Sequence, residues 1–209
     1  MTTPESAAFE EAYRHCRAIF DGWCSPTGYD EPTDATQIAL AAWQARNFDN
    51  TSDLHMVAGL TEEVGELHEA IEDRDPGAVI DAFGDVLIYL GQLLTSNRIA
   101  MRPLLGLRRN DGRTEIAVPL GQLAHAVLKH GQKIRGLADV ETYRRALVNH
   151  AGGVIATTRA VVDVAVDRLP LRADGVYRMV GAQVLARDWR RDPITGLDVA
   201  AAPHVVSAP

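Results

Sequence analysis

The stretch from Gly59 to Leu94, GLTEEVGELHEAIEDRDPGAVIDAFGDVLIYLGQLL, sets the tightest limit on what this chain can fold into. At about 100° per residue, Met56, Leu60, Val64, Leu67 and Ile71 fall on one apolar stripe. After a turn containing Pro76, a second stripe follows from Val79, Phe83, Val86, Leu90 and Leu93, widened by Leu87 and Leu94. Two consecutive segments of helical period, joined by a short turn, specify a helical hairpin that must bury both faces against further helices.

The same hairpin carries acids in unusual places. Glu62 and Glu66 share a stripe adjacent to the apolar one, Glu63 sits on the apolar edge, and Asp81 and Asp85 lie one turn apart. The three glutamates are therefore expected along the margin of the core, and the two aspartates on a helix most of which reads as buried. Ionised carboxylates so placed need a compensating positive charge. Between Arg46 and Arg98 the only Lys or Arg is Arg74, at the turn. Unpaired, the acids raise one another's pKa values, and a hard divalent cation, Mg²⁺ or Mn²⁺, resolves the conflict. Glu69, Glu72 and Asp73 read instead as a solvated face. A di-iron bundle needs Glu-x-x-His pairs, and none forms here, since His68 follows Gly65 by three.

The rest of the chain also reads as helix, with no convincing alternation of strand type, so the fold class is all-α. Helices are expected over Ser6–Trp23, from a cap at Thr33 or Asp34 to Arg46, over Asp53–Asp73, and from Pro76 to about Asn97. Further ones are expected over Leu120–Ile134, Val140–Leu169 and Asp174–Trp189, with a loose tail from Asp192. The domain reading is an N-terminal catalytic part over 1–100, a connector over 101–119, a second part over 120–191 and a flexible tail over 192–209. The formal charge of -7 argues against a nucleic-acid-binding surface. Cys16 and Cys24 lack the partners for a zinc site or a disulfide framework. The N-terminus lacks a signal-peptide pattern, and no uninterrupted apolar run reaches the roughly 18 residues of a membrane span. A cytoplasmic protein with no membrane partner is the expectation.

EEVGEL, followed after a short hairpin by an apolar helix containing Gly-Asp, resembles the MazG-like all-α nucleoside triphosphate pyrophosphohydrolases, a superfamily that includes the dimeric dUTPases and the phosphoribosyl-ATP pyrophosphohydrolases. The resemblance covers about Trp43 to Leu94, including Trp43 and Phe48. The usual pattern is Glu-Glu-x-x-Glu, then Glu-x-x-Asp on the next helix. Glu62, Glu63, Glu66 and Asp85 match it, but the remaining Glu falls on Ala82, with Asp81 one residue earlier as the substitute. The resemblance implies a MazG-type bundle that cleaves a (d)NTP to a (d)NMP and pyrophosphate. Metal held by Glu62, Glu63, Glu66, Asp81 and Asp85 would activate a water, and Glu63 would accept its proton.

Downstream, LGQLAHA at 120–126 aligns with VGELHEA at 64–70, and NHAGGVI at 149–155 with DAFGDVL at 81–87. In this register Glu62 and Glu63 face Val118 and Pro119, Glu66 faces Gln122, Asp81 faces Asn149 and Asp85 faces Gly153. The segment reads as a degenerate second hairpin repeat whose turn, KHGQKIRG, offers Lys129, Lys133 and Arg135 to substrate phosphate; the plainer reading is a solvated basic turn. Arg187 and Trp189, in ARDWRRDP, are further substrate-binding candidates, although Trp189 serves equally well as an anchor for the last helix. Trp43 and Phe48 read as core. The expected partner is a nucleoside triphosphate, with a homodimer open. Two other readings stand beside this one: a helical binding or regulatory protein with little catalysis, and a hydrolase of another pyrophosphate-linked metabolite.

Overall fold

The computed structural model describes residues 35–49, 51–109, 111, 113–166 and 172–197. The helix expected over Ser6–Trp23 and the cap at Thr33 or Asp34 lie outside them, as do residues 198–209 of the expected tail. Seven helices and no strand occur among the described residues: α1 (Ala35–Asn47), α2 (Asp53–Glu72), α3 (Pro76–Ser96), α4 (Arg102–Leu105), α5 (Ala117–Gly131), α6 (Val140–Ala165) and α7 (Ala173–Leu185). Among the described residues the fold is an all-α bundle.

Local chemistry fixes the hairpin ends. Ser52 caps α2 by accepting the His55 N–H, while His55 Nδ1 accepts the Ser52 N–H, a reciprocal capping box with His in place of the usual Glu. Asp75 caps α3 through the N–H groups of Gly77 (2.8 Å) and Ala78 (3.1 Å), and Pro76 occupies the first helical position, where a missing N–H costs nothing. Between them the Arg74 N–H donates to Ile71 O and the Asp75 N–H to Ala70 O, with Arg74 left-handed at φ 56°.

Helix α3 lies at the centre, packed on α1, α2, α6 and α7. That position explains its nearly unbroken apolarity: Val79, Phe83, Val86, Leu87, Leu90, Leu93 and Leu94 are all buried. By length and composition α3 is apolar enough to cross a membrane, which the sequence reading did not anticipate; here its apolar side chains are covered by neighbouring helices. Two glycines on α3 admit α7. A Cβ at Gly84 would stand 2.2 Å from Val180 Cγ2, and one at Gly91 2.7 Å from the Tyr177 hydroxyl. Gln37 ties α1 to the far end of α3: its amide nitrogen donates to Thr95 Oγ1 and Ile99 O, and its oxygen accepts the Met101 N–H.

Several boundaries differ from expectation. The connector contains the short helix α4, and α5 starts at Ala117, because Pro119 is tolerated within a first helical turn. Helix α6 ends at Ala165, not Leu169. Helix α7 ends at Leu185, not Trp189, since residues 187–189 turn away to bond α1. Residues 188–197 are not loose: the Asp192 N–H donates to Asp188 O and the Gly196 N–H to Asp192 O, while the Asp192 carboxylate accepts the Ile194 and Thr195 N–H groups.

Candidate functional site

The α2–α3 hairpin brings the five sequence-selected acids together. Glu63 and Asp85 face each other across it, both half-buried. Glu62 and Glu66 are exposed, a correction to the expectation that the three glutamates run along the core margin; Asp81 is exposed as well, and of the five only Glu63 and Asp85 are half-buried. Burial, reinforced by the charges of Asp85, Glu66, Glu62 and Asp81, pushes Glu63 up to about 8. Burial and the Asp81 charge push Asp85 up to about 6, while the Arg187 guanidinium pulls the other way. Glu63 Oε2 is buried with no hydrogen-bond partner, a costly state for a carboxylate oxygen.

The family pattern's missing Glu also finds an explanation. Ala82 is buried against the core, whereas the charge of Asp81 reaches both Glu63 and Asp85. As they stand, no three His, Cys, Asp or Glu side chains among the described residues meet in a ligand set. The fit to a hard cation rests on two things: the orphaned Glu63 oxygen, and an all-oxygen donor group on which, among the described residues, Arg187 is the cation that acts at Asp85.

Tyr89, one turn beyond Asp85, was not selected from the sequence and belongs to the site. Its ring lies directly over Gly59, where a Cβ would meet Cε1 at 2.2 Å. Burial and the charges of Glu63, Glu62, Asp85 and Glu66 raise its phenol pKa, keeping the hydroxyl a donor. Its spacing of four from Asp85 and eight from Asp81 was the available signal, obscured because an aromatic in an apolar run reads as core.

Arg187 is brought to the site by a chain of contacts from α1. Trp43 Nε1–H donates to Arg187 O (2.7 Å), and the Trp189 N–H donates to Asn47 Oδ1 (2.7 Å). The Arg187 guanidinium lies 5.8 Å from the Trp189 ring centroid, and the Trp189 side chain packs on the core. Trp43 is itself core, with Phe48 edge-on at 5.4 Å. Lys129, Lys133 and Arg135 are placed elsewhere, at the α5–α6 turn. That end of the bundle is marked by His130 stacked on Tyr143, whose hydroxyl donates to Asp53 at the start of α2. Lys129 donates to Gln132, and the charges acting on Glu63 and Asp85 do not include these three residues.

The turn of the second hairpin, α5–α6, has the backbone geometry of the first. Lys133 takes the left-handed position at the end of α5 (φ 56°) that Arg74 takes after α2, with the corresponding hydrogen bonds. A Cβ at Gly153 would stand 3.2 Å from Pro119 Cβ. In the sequence register these two positions correspond to Asp85 and Glu63, so a proline seated on a glycine stands where the first hairpin sets two carboxylates.

Comparison with known protein families matches residues 51–102 to the MazG nucleotide pyrophosphohydrolase domain, which spans α2, α3 and the first residue of α4. No curated protein and no solved structure matches the chain. Over these residues the α2–α3 hairpin, with the acids it carries, is thus similar to the MazG nucleotide pyrophosphohydrolase domain.

Proposed function

We propose that the chain is a Mg²⁺- or Mn²⁺-dependent hydrolase that cleaves nucleoside triphosphates, ribo or deoxy, to a monophosphate and pyrophosphate. The observation that carries this reading is the Glu63–Asp85 pair, two mutually repelling half-buried carboxylates, one with an orphaned oxygen. Glu62, Glu63, Glu66, Asp81 and Asp85 would hold the cation, which when bound neutralises the triphosphate and activates a water. Glu63 is proposed to take a proton from that water, its buried oxygen being without a hydrogen-bond partner. Tyr89 presents a hydroxyl donor toward the same space, and Arg187, whose charge acts on Asp85, is suited to phosphate oxygens. Of the substrate-binding candidates, Arg187 is the one proposed to meet the triphosphate beside these acids, since the charges acting on Glu63 and Asp85 do not include Lys129, Lys133 or Arg135. The α5–α6 hairpin is proposed as a degenerate repeat that supports the first by packing.

Turnover measured against added Mg²⁺ tests the metal dependence. A saturable rise, abolished by Asp85→Asn and by Glu66→Gln in variants that keep the wild-type circular dichroism, is the expected result. Equal turnover in Mg²⁺ and in excess chelator contradicts it.

A further inference from the structure

Beside Asp81, the first turns of α3 and the second half of α7 border an open cleft of ≈ 410 Å³, lined by Gly77, Ala78, Ile80, Asp81, Met179 and Gln183. Its volume falls within the roughly 300–1,000 Å³ of small-molecule sites. Gly77 and Ala78 contribute little side-chain bulk to its lining, and Ile80 and Met179 contribute its larger apolar side chains. Met179 is 50% exposed, whereas Val176, Val180 and Val184 on the same helix are buried. Gln183 lies one turn further along α7, and its carboxamide makes no hydrogen bond among the described residues. The cleft reaches the acidic cluster through one shared residue, Asp81, whose charge acts on both Glu63 and Asp85.

We infer that this cleft is the nucleobase subsite, with the base between Ile80 and Met179 and its polar edge read by the Gln183 carboxamide. The inference rests on the proposed hydrolase reading and adds to it the element that discriminates bases. The chemistry matches the occupant: a base is flat, with two apolar faces and a hydrogen-bonding edge, and an amide supplies both donor and acceptor. Continuity with the acids matches too, since base and triphosphate are parts of one molecule and Asp81 stands where the two regions meet. Helix α7 lies outside the 51–102 match, so base preference becomes a property of what this chain adds to the shared hairpin.

The test uses the full chain labelled with methyl-¹³C methionine, whose four methyl signals come from Met1, Met56, Met101 and Met179. Met179→Leu assigns the reporter. Adenosine, guanosine, cytidine and uridine monophosphates, with their deoxy forms and thymidine monophosphate, are titrated in Mg²⁺, with inorganic pyrophosphate as the base-free control. The expected result is a saturable upfield shift of the Met179 methyl with at least one monophosphate and none with pyrophosphate. Gln183→Ala should weaken that monophosphate roughly five- to tenfold, narrow the differences among bases and leave pyrophosphate affinity unchanged. A chain that binds or hydrolyses nucleotides while the Met179 signal stays fixed, or whose base preference survives Gln183→Ala, overturns the subsite and leaves the hydrolase reading intact. A chain that hydrolyses no nucleotide and shows no perturbed resonance with any ligand overturns both.

Discussion

Glu63 holds its proton to unusually high pH because the fold buries it among four other carboxylates, and this has a consequence for stability. Its value rises from 4.5 to about 8, and that of Asp85 from 3.8 to about 6. Between about pH 4 and pH 8 the native chain therefore binds more protons than the unfolded one, so metal-free stability falls as pH rises. Thermal unfolding without metal should show this decline. Glu63→Gln should flatten most of it, and Mg²⁺ should raise the melting temperature most at the alkaline end. A melting temperature that climbs steadily from pH 5 to pH 8 without metal would count against the pair. At Gly59, substitution by Ala must displace the Tyr89 ring, at a cost of about 1–3 kcal/mol. Tyr89→Phe keeps the ring and removes only the hydroxyl, so it should leave stability near wild type and lower kcat, as denaturant unfolding and steady-state kinetics will show. The five acids were readable from spacing and from the lack of basic neighbours. Tyr89 was not, because its role comes from a seat on Gly59 across the hairpin, a contact that no local pattern encodes.

At the scale of helices, most elements followed from period and punctuation. Ser52, Asp75 and Pro76 mark two helix starts by chemistry visible in the sequence, and the stripes of α2 and α3 are buried as their spacing requires. Asp75→Ala should cost about 0.5–2 kcal/mol, because two N–H groups at the start of α3 lose their acceptor; urea unfolding measures this directly. What the sequence concealed lay where tertiary contacts override local preference. Helix α7 stops at Leu185 because the following residues bond α1, although ARDW continues the helical composition. The crossing of α7 over α3 was equally hidden, since it depends on Gly84 leaving room for Val180. Gly84→Ala places a methyl 2.2 Å from Val180 Cγ2 and should destabilise by about 1–3 kcal/mol, despite alanine's better helix propensity. A stabilised variant would show that α7 does not pack there.

Across the whole molecule, the first hairpin supplies acids and the segments around it supply what the acids lack. LGQLAHA and NHAGGVI suggest a second hairpin like the first, and the α2–α3 and α5–α6 turns share a left-handed residue with the same hydrogen bonds. Its basic turn attracted attention as a phosphate site because charge is visible in sequence and distance is not. In the folded chain that turn sits with Tyr143 and Asp53, while Arg187, separated from Asp85 by 102 positions, stands within its electrostatic reach. Arg187→Ala should therefore raise KM for a nucleoside triphosphate, and Lys133→Ala with Arg135→Ala should leave it unchanged; the reverse pattern would return the phosphate contact to the second hairpin. The most direct measurement of the central claim is product identity. Purified chain with Mg²⁺ is given each common NTP and dNTP in turn, and pyrophosphate is separated from orthophosphate. Stoichiometric monophosphate and pyrophosphate, lost in Glu63→Gln, is the expected result. Orthophosphate as the sole inorganic product, or no product from any nucleotide, would contradict it.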